Sequence, residues 1–216
     1  MKMPTLFSIS DEQAMWRVQT EDDESAFAHL VRRWEGPIQR VCMRMLGDAQ
    51  SGEDMAQETF VRAFVKRKDF RPDAKFSTWI WRIALNLCYD ELRRRARRKE
   101  TSIDEPHGKS LGLLDEFAAS GPAPDQAIIK RERGDLVRRA LSQLPEIYRT
   151  VLILRHYEAL KFREIAEVLD IPEGTVKSRM AEALTQMGLL LKPRLAGTEP
   201  LPEPPKPTQV KESLLV

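Results

Sequence analysis

The sequence predicts an all-α protein of two small helical domains joined by a flexible linker. Apolar residues recur with helical spacing on both sides of a middle stretch in which the pattern fades. That stretch contains the breaker Gly121-Pro122-Ala123-Pro124, and no segment shows the alternating pattern of a strand. We expect an N-terminal domain over residues 11–99, a linker over 100–126, a C-terminal domain over 127–191 and a proline-rich tail over 192–216.

The charge of the chain is unevenly distributed. Its 216 residues include 35 Lys and Arg against 33 Asp and Glu, so the formal net charge is only +2. From Arg62 to Lys99, however, 13 basic residues stand against four acidic ones, a net charge of +9, and the rest of the chain carries −7. This separation indicates different partners for different surfaces, with nucleic acid the first candidate for the basic one.

Composition excludes several classes of protein. The sequence has no run of about 18 apolar residues, so we expect no membrane insertion, and its first ten residues lack the pattern of a secretion signal. Cys42 and Cys88 lie in apolar helical patterns and cannot build a disulfide framework, which favours a reduced, cytoplasmic protein. The histidines are scattered and no Cys-x-x-Cys occurs, so we expect neither a metal nor a cofactor.

The N-terminal domain has the pattern of helices throughout. Apolar spacing predicts a helix over Glu24–Trp34, and Gly36-Pro37 is expected to break or bend the chain before the pattern resumes at Ile38. A further helix is predicted over roughly Ser51–Arg67.

The start of the helix predicted over Ser51–Arg67 is acidic. Four acids and no base lie between residues 48 and 58, and Gln57 is expected to be exposed beside Asp54 and Glu58. An acidic patch cannot bind DNA, so this face is a candidate surface for docking on another protein. The alternative is a favourable acidic first turn on the helix dipole, which explains Glu58 less well than the acids before it.

The next helix carries the basic residues. A loop is predicted over Phe70–Asp73, and Ser77 or Thr78 can cap a helix that continues to Lys99. With about 100° per residue, this helix is apolar around most of its circumference and has one polar stripe. The stripe consists of Trp79, Arg82, Asn86, Asp90, Arg93 and Arg97.

The polar stripe suits single-stranded nucleic acid, because an aromatic ring can stack on an unpaired base while cations follow the phosphates. Lys75 and Phe76 lie in the preceding loop, where they can accept a base drawn out of the duplex. For Phe76 and Trp79, a place in the core is an equally good explanation. The arginines from Arg93 onward favour contact with nucleic acid over a merely solvated helix end.

The predicted linker is acidic, with six acidic residues and one basic residue. It is either an ordinary solvated tether or a segment that docks transiently on a partner through Leu111, Leu113, Leu114 and Phe117. At the other end of the chain, the last 17 residues hold five prolines, which predicts an extended tail.

Residues 161–187 have the spacing of a helix-turn-helix. The turn is Asp170–Gly174, and Asp tolerates a left-handed backbone better than most residues. Thr175 is expected to cap or open the second helix. The residues expected to be buried are Phe162, Ile165, Ala166 and Leu169 in the first helix and Val176, Met180, Ala183, Leu184 and Met187 in the second.

The N-terminal end of the second helix is the candidate surface for reading duplex DNA. In this motif that end meets base edges in the major groove. Arginine can hold guanine with two hydrogen bonds, while lysine and serine reach phosphates or bases. The candidate residues are Thr175, Lys177, Ser178 and Arg179. The alternative is an ordinary helical hairpin with a solvated basic face.

Three segments together resemble a known family. They read Asp54-Met-Ala-Gln57-Glu58-Thr-Phe60-Val-Arg62-Ala, Phe76-Ser-Thr-Trp79-Ile-Trp-Arg82-Ile-Ala-Leu-Asn86 and Glu173-Gly-Thr-Val-Lys-Ser-Arg179. In this order, with a linker between the second and third, they look like a bacterial sigma factor of the small two-domain type, the extracytoplasmic-function group. The resemblance covers residues 11–191.

The resemblance implies a protein that binds core RNA polymerase and promoter DNA and has no catalysis of its own. Polymerase would be bound through Asp54, Gln57, Glu58 and Phe60. The minus-ten element, opened and read as a single strand, would contact the loop up to Ser77 and the residues Lys75, Phe76, Trp79, Arg82, Asn86, Arg93 and Arg97. The minus-thirty-five element would contact Thr175, Lys177, Ser178 and Arg179. The resemblance also implies a linker near the RNA exit path and an anti-sigma partner.

Two other functions compete with this interpretation. A stand-alone helix-turn-helix regulator would use its first domain to sense a signal or to dimerise. An enzyme acting on nucleic acid would need a carboxylate cluster, a metal set or a nucleophile with its base, and the sequence offers none of these. The arginine-ended helix with Trp79 and the acidic patch around Gln57 favour the sigma factor.

Overall fold

The computed structural model describes residues 9–71, 73–101 and 124–195. Within these ranges every regular element is a helix, which confirms the predicted all-α class. The α-helices are α1 (Asp11–Glu21), α2 (Glu24–Leu46), α3 (Ala49–Val65), α4 (Phe76–Thr101), α5 (Pro124–Gln143), α6 (Glu146–His156), α7 (Phe162–Leu169) and α8 (Glu173–Leu195), with a short 3-10 turn at Arg67–Asp69.

The predicted domain boundaries stay predictions. Most of the linker, with the leucines that could dock on a partner, lies outside the described residues. The helices α4 and α5 nevertheless enter the 100–126 range from both ends, since α4 ends at Thr101 and α5 begins at Pro124. Likewise, α8 continues to Leu195 and includes the first residues of the predicted tail.

Short polar side chains begin the first three helices. The Ser10 hydroxyl accepts a hydrogen bond from the backbone N–H of Gln13, whose side chain accepts from the N–H of Ser10 in return. Asp23 accepts from two backbone N–H groups at the start of α2, and Asp48 does the same for one at the start of α3. Each capping side chain accepts a hydrogen bond from a backbone N–H group that has no partner within the helix.

Gly36-Pro37 was expected to break or bend the chain, and the break is wrong, because α2 continues through Pro37 to Leu46. Proline costs a helix interior about 3 kcal/mol. Here α2 buries Leu30 before the proline and Ile38 after it on one face of the core. The burial of this face offsets the cost of the proline.

The cap expected at Ser77 or Thr78 is also wrong. Helix α4 begins at Phe76, and the N–H of Phe76 donates to the carboxylate of Glu12 in α1 at 3.1 Å. Burial works against the charge of Glu12, but hydrogen bonds from backbone N–H groups hold the pKa of this carboxyl below its ordinary value. The start of α4 is therefore capped by a distant helix, which no local pattern reveals.

The turn of the helix-turn-helix is shorter than the predicted Asp170–Gly174, because only residues 170–172 separate α7 from α8. Asp170 ends α7 in the left-handed conformation, with φ 55° and ψ 47°. Helix α8 begins at Glu173, so Thr175 lies inside its first turn rather than at its cap. The buried face of α8 consists of Val176, Met180, Ala183 and Met187.

Leu184 is an exception to the predicted burial, because it is 50% exposed. It follows Ala183 by about 100° of rotation, which carries it to the edge of the buried face.

The contact between α2 and α3 depends on Gly52. A Cβ at this position would lie 2.4 Å from Cγ of Met43 and 2.7 Å from its Cα, so the two helix backbones approach too closely for any side chain. We predict that Gly52→Ala lowers the free energy of unfolding by about 1–3 kcal/mol, because the backbone of α2 must move. Chemical denaturation monitored by circular dichroism measures this change.

Gly188→Ala is the matched control. Gly188 lies in α8 with open space around the position of its Cβ. Alanine there should raise the free energy of unfolding by up to about 1 kcal/mol, because it is the better helix former. If both substitutions stabilised the protein, the close approach of α2 and α3 at Gly52 would be contradicted.

Candidate nucleic-acid interface

The polar stripe of α4 has the predicted orientation. Arg82, Asn86, Arg93 and Arg97 are exposed, while the other sides of the helix bury Ile80, Ala84 and Cys88 among other apolar residues. The exposed residues form a largely basic track along one side of the N-terminal domain, in which Asp90 pairs with Arg93 at 3.6 Å. Such a track can follow the phosphates of a nucleic-acid strand.

The aromatic residues at the start of α4 differ in exposure. Trp79 is half-buried, and its ring centroid lies 5.4 Å from that of Phe70. Phe76 is only 1% exposed and packs edge-on against Trp34 at 5.9 Å. Phe76 is therefore a core residue in this conformation, whereas Trp79 and the exposed Lys75 can reach a ligand.

The arginines at the C-terminal end of α4 differ in their surroundings. Arg95 turns inward and donates to the carboxylates of Glu91 and Asp48, each at 2.8 Å, and also to the hydroxyl of Ser51. Burial opposes ionisation of both carboxyls, but their contacts with Arg95 help hold the pKa of each below its ordinary value. Arg95 thus ties α4 to the start of α3 rather than offering its charge to DNA. The sequence gives no signal that separates it from its neighbours.

The exposed face of α3 is both acidic and apolar. Asp54 and Gln57 are exposed, and Glu58 pairs with Arg62 at 3.1 Å. Val61 and Val65 continue the same face and are 56% and 70% exposed. We name Asp54, Gln57, Glu58, Val61 and Val65 the α3 face.

Val61 and Val65 were not among the residues predicted for the α3 face. Residues 54, 57, 58, 61 and 65 follow one stripe at helical spacing, so the same periodicity that located the polar stripe of α4 could have found them. Phe60, which was expected on or beside this surface, is buried in the core and supports it from below.

The N-terminal end of α8 is accessible in part. Lys177 and Ser178 are exposed, whereas Thr175 and Arg179 are half-buried. Lys177 pairs with Glu173 at 2.7 Å. These side chains share one end of the helix, as a surface that enters the major groove requires.

Helix α7 packs against the start of the polar stripe. The guanidinium of Arg82 donates to the backbone carbonyl oxygens of Glu167 at 2.6 Å and of Val168 at 3.1 Å. Lys75 approaches the carboxylate of Glu167 at 3.4 Å. Two of the candidate minus-ten residues are therefore engaged by the C-terminal domain in this structure.

A second contact between the domains contains buried charges. Arg149 of α6 is 7% exposed and donates to the carbonyl oxygens of Met45, Ser142 and Leu144. The side chain of Glu158 is 6% exposed and lies 3.4 Å from Arg40 and 3.9 Å from Arg44.

Burial dominates the ionisation of both groups. It lowers the pKa of Arg149 and raises that of Glu158, despite the two arginines beside the carboxylate. No sequence motif marks either residue.

Metal-binding clusters and membrane-spanning helices are absent from the described residues. Among them, no group of three or more His, Cys, Asp or Glu side chains is placed to hold a metal ion. None of the helices in the described part of the chain is long and apolar enough to cross a membrane.

Two family models match the chain. The model of sigma-70 region 2 matches residues 30–98, which include α3 and the polar stripe of α4. The model of sigma-70 region 4 matches residues 134–187, which include the helix-turn-helix.

Curated relatives match over most of the chain. The ECF RNA polymerase sigma factor SigW of Bacillus subtilis is 37% identical over 158 residues, which cover 73% of this chain and 84% of the relative. The RNA polymerase sigma-H factor of Pseudomonas aeruginosa is 35% identical over 185 residues, covering 86% and 95%. The ECF RNA polymerase sigma-E factor of Escherichia coli K12 is 33% identical over 181 residues, covering 81% and 91%.

Solved structures share the fold. The structure of CnrH in complex with the cytosolic domain of CnrY has a TM-score of 0.60 and 23% identity, covering 84% of this chain and 97% of that one. The sigma factor RpoE in complex with the anti-sigma factor NepR from Bartonella quintana has a TM-score of 0.57 and 22% identity, covering 77% and 96%.

These matches do not favour a stand-alone helix-turn-helix regulator. Region 2 and region 4 match this chain in the order that the three sequence segments predicted, and the relatives are named as RNA polymerase sigma factors. The chain therefore belongs to the extracytoplasmic-function group of the sigma-70 family and is a sigma factor that directs RNA polymerase to promoters.

Proposed function

We propose that this sigma factor divides its work among three surfaces on three helices. The α3 face binds core polymerase, the polar stripe of α4 holds the opened minus-ten strand, and the N-terminal end of α8 reads the minus-thirty-five duplex. The proposal is supported by the different side chains of the three surfaces. The α3 face is acidic and apolar, whereas the polar stripe of α4 and the N-terminal end of α8 carry basic side chains.

The α3 face suits a protein partner. Phosphates would repel Asp54 and Glu58, whereas a basic protein surface would attract them. Val61 and Val65 add apolar area that a partner can remove from water, which supplies affinity beyond the charges.

The polar stripe suits a strand whose bases are unpaired. Arg93 and Arg97 provide cations for the phosphates, and Asn86 can bond a base edge. Trp79 is half-buried in the first turn of α4, close to the loop that precedes this helix, and an aromatic ring stabilises a base that has left the duplex. Binding the single strand in this way favours its opening, because the bound strand is withdrawn from the duplex.

A protein regulator is a further proposed partner. CnrH and RpoE, which share this fold, were solved with CnrY and with the anti-sigma factor NepR. We expect a comparable anti-sigma protein to cover the basic or the apolar surfaces of this chain. We further propose that the protein works without catalysis or cofactor, in the cytoplasm together with polymerase.

Arg179→Ala tests the duplex-reading surface. If Arg179 holds a guanine with two hydrogen bonds, its loss should cost about 1–3 kcal/mol at promoters that carry the matching upstream element. Run-off transcription with core polymerase, on templates with and without that element, measures the effect.

Lys192→Ala is the control for Arg179→Ala. Lys192 is an exposed cation of the same helix, about 20 Å further along at 1.5 Å per residue. Lys192→Ala should leave transcription unchanged on both templates. An equal loss for Arg179→Ala with and without the upstream element would refute base reading by this residue.

A charge reversal tests the α3 face. Asp54→Lys combined with Glu58→Lys should weaken the binding of core polymerase at least about tenfold, roughly 1.4 kcal/mol, because a basic partner surface would then face like charge. Fluorescence anisotropy of the labelled sigma factor, titrated with core polymerase, measures the affinity.

Glu21→Lys combined with Glu35→Lys provides the matched control. Both glutamates are exposed and lie on α1 and α2, so the double variant has the same net charge without altering the α3 face. Its affinity should equal that of the wild type. Unchanged affinity of the α3 variant, with its fold verified by circular dichroism, would overturn the docking assignment.

A further inference from the structure

A small cleft lies on α1, beside the residue that follows the 3-10 turn. Its volume is about 230 Å³, and its lining residues are Glu12, Gln13, Trp16, Gln19 and Phe70. None of them belongs to the α3 face, to the polar stripe or to the N-terminal end of α8. Sites for drug-sized ligands have roughly 300–1,000 Å³, so this smaller cleft suits a few residues of an extended chain better than a whole small molecule.

Trp16 makes the cleft a candidate binding surface. Its side chain is 51% exposed, whereas the other three tryptophans of the chain are half-buried or buried. Its indole N–H has no hydrogen-bond partner among the described residues. A large ring with an unused donor gains both apolar contact and a hydrogen bond when a partner covers it, and tryptophan is enriched at the centre of interfaces for this reason.

The inner side of the cleft is held in place by the fold. Phe70 is 3% exposed, and its ring centroid lies 6.2 Å from that of Phe76. The side-chain amide of Gln19 donates to the carbonyl oxygens of Lys68 and Phe70, each at 3.0 Å. These contacts fix the 68–70 segment on α1, so a ligand does not have to order this part of the cleft when it binds.

The charge of the cleft disfavours nucleic acid. None of the five lining residues is basic, and Glu12 is one of them. Burial opposes the charge of Glu12, but hydrogen bonds from backbone N–H groups hold the pKa of its carboxyl below the ordinary value, so this carboxyl is ionised at neutral pH. A phosphate would be repelled here, whereas a lysine would be attracted.

The chain itself contains a segment whose chemistry fits this cleft. Residues 200–207 read Pro-Leu-Pro-Glu-Pro-Pro-Lys-Pro, and residues 204–211 contain two lysines and no acidic residue. Proline-rich segments favour the polyproline II conformation, and aromatic-lined grooves bind them because little conformational entropy is lost. The carbonyl oxygens of this conformation have no internal hydrogen bond, so they can accept one from an indole N–H.

The attachment of this segment to α8 favours binding within one molecule. Lys206 lies 11 residues beyond Leu195, and 11 extended residues span about 37 Å, which is roughly the length of α8 itself. A ligand on a short flexible tether has an effective concentration in the millimolar range. Modest intrinsic affinity is therefore enough to keep the cleft occupied.

We propose that the cleft on α1 is the docking site of this chain's own proline-rich tail, residues 196–216. The prolines of residues 200–207 pack on Trp16 and Phe70, and Lys206 approaches Glu12. The docked tail removes the ring of Trp16 from water. This docking does not depend on the functions proposed for the α3 face, the polar stripe and the end of α8.

A peptide of residues 200–211 with a fluorescein label tests the proposal. It is titrated with a full-length protein in which Pro202, Pro204, Pro205 and Pro207 are each replaced by serine; we name this protein the tail variant. Fluorescence anisotropy should show that the tail variant binds the peptide. The wild-type protein should bind it at least about tenfold more weakly, because its own tail competes for the cleft.

Trp16→Ala locates the binding site. In the tail variant it should weaken binding of the peptide at least about tenfold, because it removes both the ring and the indole donor. Leu189→Ala is the matched control, since Leu189 is a 66% exposed apolar residue of α8 and should leave the affinity unchanged. Circular dichroism verifies that both variants are folded.

Two altered peptides test the charge of the cleft. Lys206→Gln in the peptide should weaken binding by the tail variant about two- to fivefold, as expected for an exposed ion pair. Glu203→Gln, which removes an acidic side chain from the peptide, should not weaken binding.

Fluorine resonance of 5-fluorotryptophan reports on the cleft in the full-length protein without an added ligand. The signal of Trp16 is identified by its loss in Trp16→Phe. It should differ between the wild type and the tail variant, and the unlabelled peptide should return it towards the wild-type position. The signals of Trp34 and Trp81, which are half-buried and buried, should not move.

Several results would overturn tail docking. These are no binding of the peptide, equal binding by the tail variant with and without Trp16→Ala, and equal binding by the wild type and the tail variant. Identical Trp16 signals in the wild type and the tail variant would overturn it as well. If a mixed-sequence single-stranded oligonucleotide moved the Trp16 signal and the peptide did not, the cleft would be a nucleic-acid site instead.

Discussion

The arrangement of the whole protein depends on the buried guanidinium of Arg149. Its hydrogen bonds to Ser142 and Leu144 fix the turn between α5 and α6, and its bond to Met45 joins that turn to the end of α2 in the other domain. A buried cation is costly unless its donors find acceptors, and here the three carbonyl oxygens accept from Nη1 and Nη2 whereas Nε has no partner among the described residues. The same two domains also meet where α7 packs on α4 through Arg82.

The domain contact engages Arg82, which we also propose to be part of the strand-binding surface. Arg82 belongs to the surface that suits a phosphate strand, yet in this structure it holds the end of α7. Arg95 differs from Arg82, since it lies within a basic run and ties α4 to the start of α3 and to the end of α2. The +9 segment is therefore not a uniform DNA surface. Its cations include exposed arginines that we propose to bind nucleic acid, Arg82 on the C-terminal domain and Arg95 within the fold.

Local patterns predicted the parts of the structure that depend on neighbours in the sequence. The stripe of α4 and the left-handed Asp170 follow from helical periodicity and backbone sterics, and both were predicted from the sequence. The cap of α4 by Glu12 and the burial of Arg149 arise from residues far apart in the chain, so no periodicity reveals them. Pro37 was misjudged because burial on both sides of it outweighs its local preference.

The distance between the domains tests the central claim most directly. Spin labels on Glu24→Cys in α2 and Lys192→Cys in α8 occupy exposed positions outside the proposed binding surfaces. Pulsed electron–electron double resonance should give one narrow distribution of the label-to-label distance for the free protein. It should give a longer distance in the complex with core polymerase and promoter DNA. A broad distribution in the free protein, or the same distance in both states, would contradict the account.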